Sequence, residues 1–309
     1  MGVKALIVGY GSIGTRHARL LGEMGLEVAV VSRHSASVLP VFRGLEEAMV
    51  QWRPDYVVVA SRTSDHGNHL KALATAGFTG RVLVEKPLFD IPSRLPEDRR
   101  YALHVGYTLR FHPVLQALRQ ELEGTSIFSV HAYVGQYLPD WRPGTDYRNS
   151  YSAHADQGGG ALRDLSHELD YLNWLLGGWR GLVARGGRVS DLEIDSDDVY
   201  ALILETVRCP IATATMNYLD RTPTRTIIVH TNRGTLRGDL IGQTLNRDGA
   251  IKSFKGGADD LYRAQHRAIL ADDAGALCTI NEGLDVMAMI EAAERSTRTG
   301  LWISRSTDA

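Results

Sequence analysis

The chain has 309 residues, a formal charge of −2 at pH 7 and two cysteines. A near-neutral chain without runs of like charge excludes a polyanion-binding arm, and Cys209 and Cys278, far apart, exclude a disulfide framework and predict thiols in a reducing compartment. No apolar segment reaches the roughly 18 residues of a membrane span, and the length predicts about two domains.

Residues 1–107 read as alternating strands and helices. The first strand, 5–9, starts so close to Met1 that no signal peptide fits before it, which predicts a cytoplasmic protein. It runs into Gly9-Tyr10-Gly11-Ser12-Ile13-Gly14, a G-x-G-x-x-G ahead of an amphipathic helix. Gly9 permits the tight turn, Gly11 clears space for a pyrophosphate, and Gly14 lets helix and strand pack closely. The helix N-terminus offers N–H groups to phosphate. Further strands at 27–31, 56–60, 82–85 and 102–106 are runs of apolar residues, as parallel strands buried on both faces require. Helices near 14–24, 44–52 and 65–77 between them predict right-handed crossovers and a doubly wound sheet. The segment 89–100 carries two prolines and no apolar stripe, so a turn or loop is expected there. The second strand ends in Ser32-Arg33-His34, with no acid to hold a ribose diol. A hydroxyl and a guanidinium suit a 2′-phosphate, which favours NADP over NAD; stacking of Arg33 on adenine would serve either. The fourth strand ends in Glu85-Lys86-Pro87, which aims Lys86 into the crevice at the carboxyl edge of the sheet. A plain surface lysine also fits a lone Lys-Pro.

Beyond Tyr107 the pattern changes. A helix near 112–122 leads to a strand at 127–134 and an aromatic loop at 135–157, and a helix then runs from the Gly158-Gly159-Gly160 turn through Leu176. Runs at 182–189, 198–206, 210–219, 224–231 and 234–239 read as an antiparallel meander, and helices near 258–271 and 282–298 follow. The boundary belongs near 105–112, which gives a dinucleotide-binding domain at 1–107 and a second α/β domain at 108–309. On one helix, Asp164, His167 and Asp170 fall at i, i+3 and i+6. A histidine flanked by carboxylates suits proton transfer; a structural Asp–His pair or a cap accounts equally for the spacing. Zinc would need a third ligand, for which His154 is the one obvious candidate, so no metal is expected. In the aromatic loop, Tyr137, Trp141 and Tyr147 suit sugar rings, and Arg142 and Arg148 suit a carboxylate or phosphate. Packing of the same aromatics within the second domain is the alternative.

Taken together, the glycine fingerprint, Glu85-Lys86-Pro87 and the glycine-led helix with Asp164 and His167 resemble the Gfo/Idh/MocA family of NAD(P)-dependent oxidoreductases. The segment 106–113, Gly-Tyr-Thr-Leu-Arg-Phe-His-Pro, looks like that family's domain-crossing stretch, and the resemblance extends nearly to the last helix. It implies a Rossmann domain, then an α/β domain with a large, mostly antiparallel sheet whose open face mediates homodimers or homotetramers. It implies hydride transfer between nicotinamide and a hydroxyl or keto carbon of a sugar, polyol or sugar derivative. Lys86 would stand by the nicotinamide and the substrate hydroxyl, His167 would be the acid/base, and Asp164 would assist it. Glu85 would lie near the nicotinamide carboxamide and ribose. Ser12 and Ile13 of the fingerprint, and Ser61, Thr63 and His66 of the loop after the third strand, would line the cofactor. Tyr137, Trp141, Arg142, Tyr147 and Arg148, with Asp164 and His167, would form the substrate site. The chain departs from the family pattern in four places: Asp164 and His167 are three rather than four apart, Arg62 replaces a usual proline, the crossover after Lys86 is short, and Ser32-Arg33 replaces an acid. The altered spacing leaves the roles of Asp164 and Asp170 open. Two other readings stand beside the dehydrogenase: a non-catalytic NAD(P)-binding sensor or scaffold, and a glycosidase- or epimerase-like enzyme that recycles its NAD(P). No nucleic-acid or membrane partner is expected.

Overall fold

The computed structural model describes residues 2–33, 38–90 and 95–305. Its first elements are β1 (Lys4–Val8), α1 (Ser12–Glu23), β2 (Glu27–Val31), β3 (Val41–Phe42), α2 (Leu45–Gln51), β4 (Tyr56–Val59), α3 (His66–Thr75), β5 (Arg81–Val84) and β6 (Ala102–Val105). Residues 89–100 hold no helix among those described; His34 and residues 91–94 lie outside the described residues. Next come α4 (Pro113–Glu121), β7 (Ile127–Gly135), α5 (Ala161–Asp164), α6 (His167–Leu175), β8 (Trp179–Gly187), β9 (Val199–Thr206), β10 (Ile211–Asn217), β11 (Thr224–Thr231), β12 (Gly234–Asp239), β13 (Thr244–Arg247) and β14 (Ala250–Ser253). The last are α7 (Ala258–Leu270), β15 (Cys278–Thr279), α8 (Ile280–Thr299) and β16 (Ile303–Ser304).

The chain divides into two compact units, Met1–Thr108 with Gly257–Gly283, and Leu109–Gly256 with Leu284–Ala309. This differs from the two contiguous domains expected. The reason is tertiary: α7 packs against α1, and β15 pairs antiparallel with the edge strand β6. Ion pairs Arg19–Asp259 (2.6 Å) and Arg263–Glu23 (2.7 Å) fasten the two helices.

The first unit holds a seven-stranded sheet ordered β15-β6-β5-β4-β1-β2-β3, parallel except at β15. Ala5 to Ile7, Tyr56 to Val59 and Val82 to Val84 are wholly buried, because helices cover both faces of a parallel sheet. The second unit holds nine strands ordered β14-β13-β12-β11-β7-β10-β9-β8-β16. Burial alternates along β9 and β10, so one face packs on helices and the other is uncovered. The expected meander is interrupted: β7 lies between β10 and β11 and runs parallel to β10. Period-two alternation tells which face a side chain takes, and is silent on which strands are neighbours.

Candidate active site

Parallel register aligns the strand ends of the first sheet. Val8 sits opposite Val31 and Val59, Val59 opposite Val84, and Val84 opposite Val105. The residues just beyond, Gly9, Ser32, Ala60, Glu85 and Gly106, therefore line one edge. The chain leaves β1 toward β2 and β3 on one side and returns to β4, β5 and β6 on the other, so a crevice opens at that switch point. Gly9 has φ +97°, and a Cβ there would lie 2.6 Å from the Ala60 carbonyl. A Cβ on Gly14 would collide with the carbonyl of Gly9. One on Gly11 would meet nothing within 4 Å. Gly11 is also the N-cap of α1, with no side-chain cap and no acid in the first turn. Open space above the unsatisfied N–H groups of Ser12, Ile13 and Gly14 fits a pyrophosphate.

At the end of β2, Ser32 is buried and its N–H bonds the Phe42 carbonyl at 3.1 Å. Arg33 is exposed, and so is Arg43, whose Nη1 donates to the Arg33 carbonyl at 2.6 Å. Arg43 escaped the sequence reading because β3 is only two residues long. On the next loop Ser61 and Thr63 are half-buried, but His66 is turned inward at 1% exposure. Its Nδ1 lies 3.2 Å from the Leu88 carbonyl and its Nε2 3.3 Å from that of Ser61. Burial lowers its pKa, and a neutral ring, with one N–H, donates to one of these two carbonyls while packing against the other. The direct cofactor contact expected of His66 is corrected to a bracing role. Lys86 is half-buried, and the Lys86–Pro87 peptide is cis. Beside it, Glu85 accepts from Nε2 of His17 at 2.9 Å.

In the second unit, the single helix expected through Leu176 is two. α5 ends at Asp164, Leu165 leaves helical geometry (φ −99°, ψ 21°), and α6 restarts at His167. Asp164 and His167 are thus the last and first residues of successive short helices, not neighbours on one regular face. Asp164 is buried and accepts from the Tyr218 hydroxyl at 2.7 Å. Burial and this carboxylate push the hydroxyls of Tyr218 and Tyr151 up, which keeps both as protonated donors. His167 is half-buried at the start of α6. Asp170 has a different environment: it takes three contacts of 2.7–3.1 Å from the guanidinium of Arg110, and both side chains are fully buried. Residue spacing alone did not foresee this buried ion pair. The N-terminus of α5 is held by Asp197, whose Oδ1 accepts from the Leu162 N–H at 2.9 Å. Burial raises the pKa of Asp197 to about 6.

The aromatic loop folds into short 3₁₀ turns around a pocket of about 240 Å³, lined in part by Leu138, Trp141, Arg142, Tyr147 and Ser152. Trp141 stands edge-on to Tyr218, with ring centroids 5.1 Å apart. Tyr137 instead stacks under Arg221, 3.5 Å from ring centroid to guanidinium carbon. Arg148, expected to meet substrate, is drawn to Asp146 (2.8 Å) and Glu193 (2.6 Å). All three side chains are exposed, so Arg148 is a paired but accessible cation. Among the described residues no cluster of His, Cys, Asp or Glu could hold a metal ion, and no helix is long and apolar enough to cross a membrane.

Comparison with known proteins agrees with this geometry. Residues 3–97 match the oxidoreductase family GFO_IDH_MocA, NAD-binding Rossmann fold, and residues 115–237 match the GFO/IDH/MocA C-terminal domain. No curated protein matches. Among solved structures, GenD2 from gentamicin A biosynthesis, in complex with NAD, is 22% identical with a TM-score of 0.80, covering 99% of this chain and 97% of its own. The WlbA dehydrogenase from Bordetella pertussis, in complex with NADH and UDP-GlcNAcA, is 21% identical with a TM-score of 0.80, covering 99% of each chain. A levoglucosan dehydrogenase in complex with NADH is 14% identical with a TM-score of 0.81, covering 98% of this chain and 99% of its own. At these identities the three share the fold, and the two family matches carry the assignment: the chain is an oxidoreductase of the Gfo/Idh/MocA family with an NAD-binding Rossmann domain.

Proposed function

We propose that the protein transfers hydride between the nicotinamide of NADP and a hydroxyl or keto carbon of a sugar or sugar derivative. The observation that carries this reading is the carboxyl edge of the first sheet, where the open space at Gly11 and the half-buried Lys86 follow strands in one register. Arg33 and Arg43, both exposed at the end of β2 and β3, favour a cofactor with a 2′-phosphate. Similar proteins hold NAD or NADH, so the preference for NADP rests on these two guanidiniums. Trp141 and Tyr147 line the loop pocket with aromatic surface, and Arg142 adds a cation for an acidic substituent. The levoglucosan and UDP-GlcNAcA associated with similar proteins are of the same sugar class.

When bound, the nicotinamide supplies or accepts the hydride. His167 takes the hydroxyl proton in oxidation and returns it in reduction, while Lys86, as an ammonium, stabilises the developing alkoxide. Asp164 orients the hydroxyls of Tyr218 and Tyr151. Turnover of a panel of sugars, polyols and sugar acids with NADPH tests the reading. Lys86→Ala and His167→Ala should each lower kcat by about 10²–10⁴; undiminished turnover in either variant refutes its role. The uncovered face of the nine-stranded sheet, where Ile203 and Ile211 are about half exposed, is proposed to pair with a second copy. A monomeric mass in sedimentation equilibrium would refute that pairing.

A further inference from the structure

A buried row of polar side chains in the first unit is not accounted for by hydride transfer or by phosphate binding. The Tyr56 hydroxyl on β4 lies 2.9 Å from Nδ1 of His266 on α7. Nε2 of His266 lies 2.9 Å from Nδ1 of His17 on α1. Nε2 of His17 lies 2.9 Å from Oε1 of Glu85, just past β5. Tyr56, His266 and His17 are wholly buried, and Glu85 is 9% exposed. Four polar residues, from three elements and the turn after β5, would be costly to bury without such mutual bonds.

Proton placement along the row follows from donor counting. Burial pushes the Tyr56 hydroxyl well up and the His266 imidazole well down, so both are neutral. A neutral imidazole carries one N–H and one lone pair. If Tyr56 donates to Nδ1 of His266, the proton of His266 sits on Nε2 and points at Nδ1 of His17. The proton of His17 then sits on Nε2 and points at the carboxylate of Glu85. Every bond in the row is satisfied in this direction. Reversed, with neutral rings, a lone pair of His17 would face the carboxylate oxygen. The backbone closes Glu85 from another side: a Cβ on Gly106 would lie 2.8 Å from Oε1.

We propose that Tyr56, His266 and His17 form a tautomer lock, a one-way hydrogen-bonded row that fixes the Glu85 carboxylate for the nicotinamide half of the cofactor. The proposal rests on the dinucleotide reading given above and deepens it. The three residues are positioning residues, since they act only through Glu85. His17 shares α1 with the glycine fingerprint, so the helix that faces the phosphates also carries the link that orients Glu85.

The test uses the full chain and its Tyr56→Phe variant, which keeps the ring and removes the hydroxyl. Long-range ¹H–¹⁵N spectra of the imidazoles report which nitrogen is protonated. Titrations with NADPH and NADH, and with 2′-phospho-ADP-ribose and ADP-ribose, separate the nicotinamide half from the rest. In the wild type His17 should be protonated at Nε2 alone. In Tyr56→Phe the His266 ring, left without a donor at Nδ1, should show mixed tautomers and weaken its bond to His17, and affinity for the reduced dinucleotides should fall about tenfold, as for a weakened bond to a charged group. Affinity for the two fragments without nicotinamide should stay within about twofold. An unchanged His266 tautomer, or equal loss for dinucleotides and fragments, overturns the lock. A wild type that binds none of the four ligands overturns the dinucleotide reading and the lock's role with it. If Tyr56→Phe does not fold, His17→Gln and His17→Leu decide: the amide can donate to Glu85 and should preserve dinucleotide affinity, which the leucine should selectively lose. Equal behaviour of these two variants counts against the lock.

Discussion

Asp170 offers the sharpest separation of structure from chemistry in the second unit. Its carboxylate meets the Arg110 guanidinium through three contacts of 2.7–3.1 Å, and neither side chain reaches solvent. Replacing it as Asp170→Ala strands a buried cation, and breaking one side of such a pair costs about 3–5 kcal/mol. The ring of Trp174, 5.4 Å from the guanidinium carbon, offsets only a fraction of this. For a protein of this size each kcal/mol lowers Tm by about 2–4 °C, so a drop of roughly 6–20 °C is expected. The assay is a thermal melt by circular dichroism, paired with kcat measured well below the transition. Folded Asp170→Ala should keep most of its turnover. A Tm within about 2 °C of wild type together with a 10²-fold or greater loss of kcat would refute the structural role and return Asp170 to the proton-transfer machinery.

Three further outcomes follow from the geometry. Gly11→Ala should leave Tm unchanged, because its Cβ meets nothing in the protein, yet abolish dinucleotide binding in a fluorescence titration; Gly14→Ala should lower both, because its Cβ collides with the Gly9 carbonyl. Arg33→Ala combined with Arg43→Ala should weaken NADPH about tenfold or more and leave NADH nearly unchanged, whereas equal losses would refute the phosphate role. Asp197, with its pKa raised to about 6 by burial, holds a proton in the folded state that the unfolded chain releases near pH 4, so its contribution to stability declines as pH rises from about 4 to 6. Asp197→Asn removes that penalty, on the order of 2–3 kcal/mol, and should raise Tm at pH 8 but not at pH 4; melts at the two pH values check it.

The first sheet was legible because its signals are local. Val8, Val59 and Val84 end strands, and the residues after them, Gly9, Ala60 and Glu85, inherit an edge position from strand register alone. What the sequence concealed depends on distant partners. His17 and His266 are 249 positions apart and meet only because α7 packs on α1. Arg110 reads as one more polar residue of the 106–113 segment until Asp170 is placed against it. The break between α5 and α6 lies at Leu165-Ser166, where neither residue is a helix breaker of the Gly or Pro kind, so periodicity ran through it. The partner that takes one side of the Arg148 fork, Glu193, is 45 residues away.

The return of Gly257–Gly283 to the first unit has a consequence for biosynthesis. Until β15 emerges, β6 is an open edge, with His104 and Val105 lacking their partners Thr279 and Cys278. Until α7 emerges, His17 faces no His266. At about 5–20 residues per second, the nascent dinucleotide-binding fold waits roughly 10–35 s between synthesis of residue 108 and residue 283. A cofactor-binding unit is therefore completed only after residues 109–256 of the other unit have been made, and a chain interrupted in between would carry the glycine fingerprint with an exposed strand edge and an unfinished histidine row.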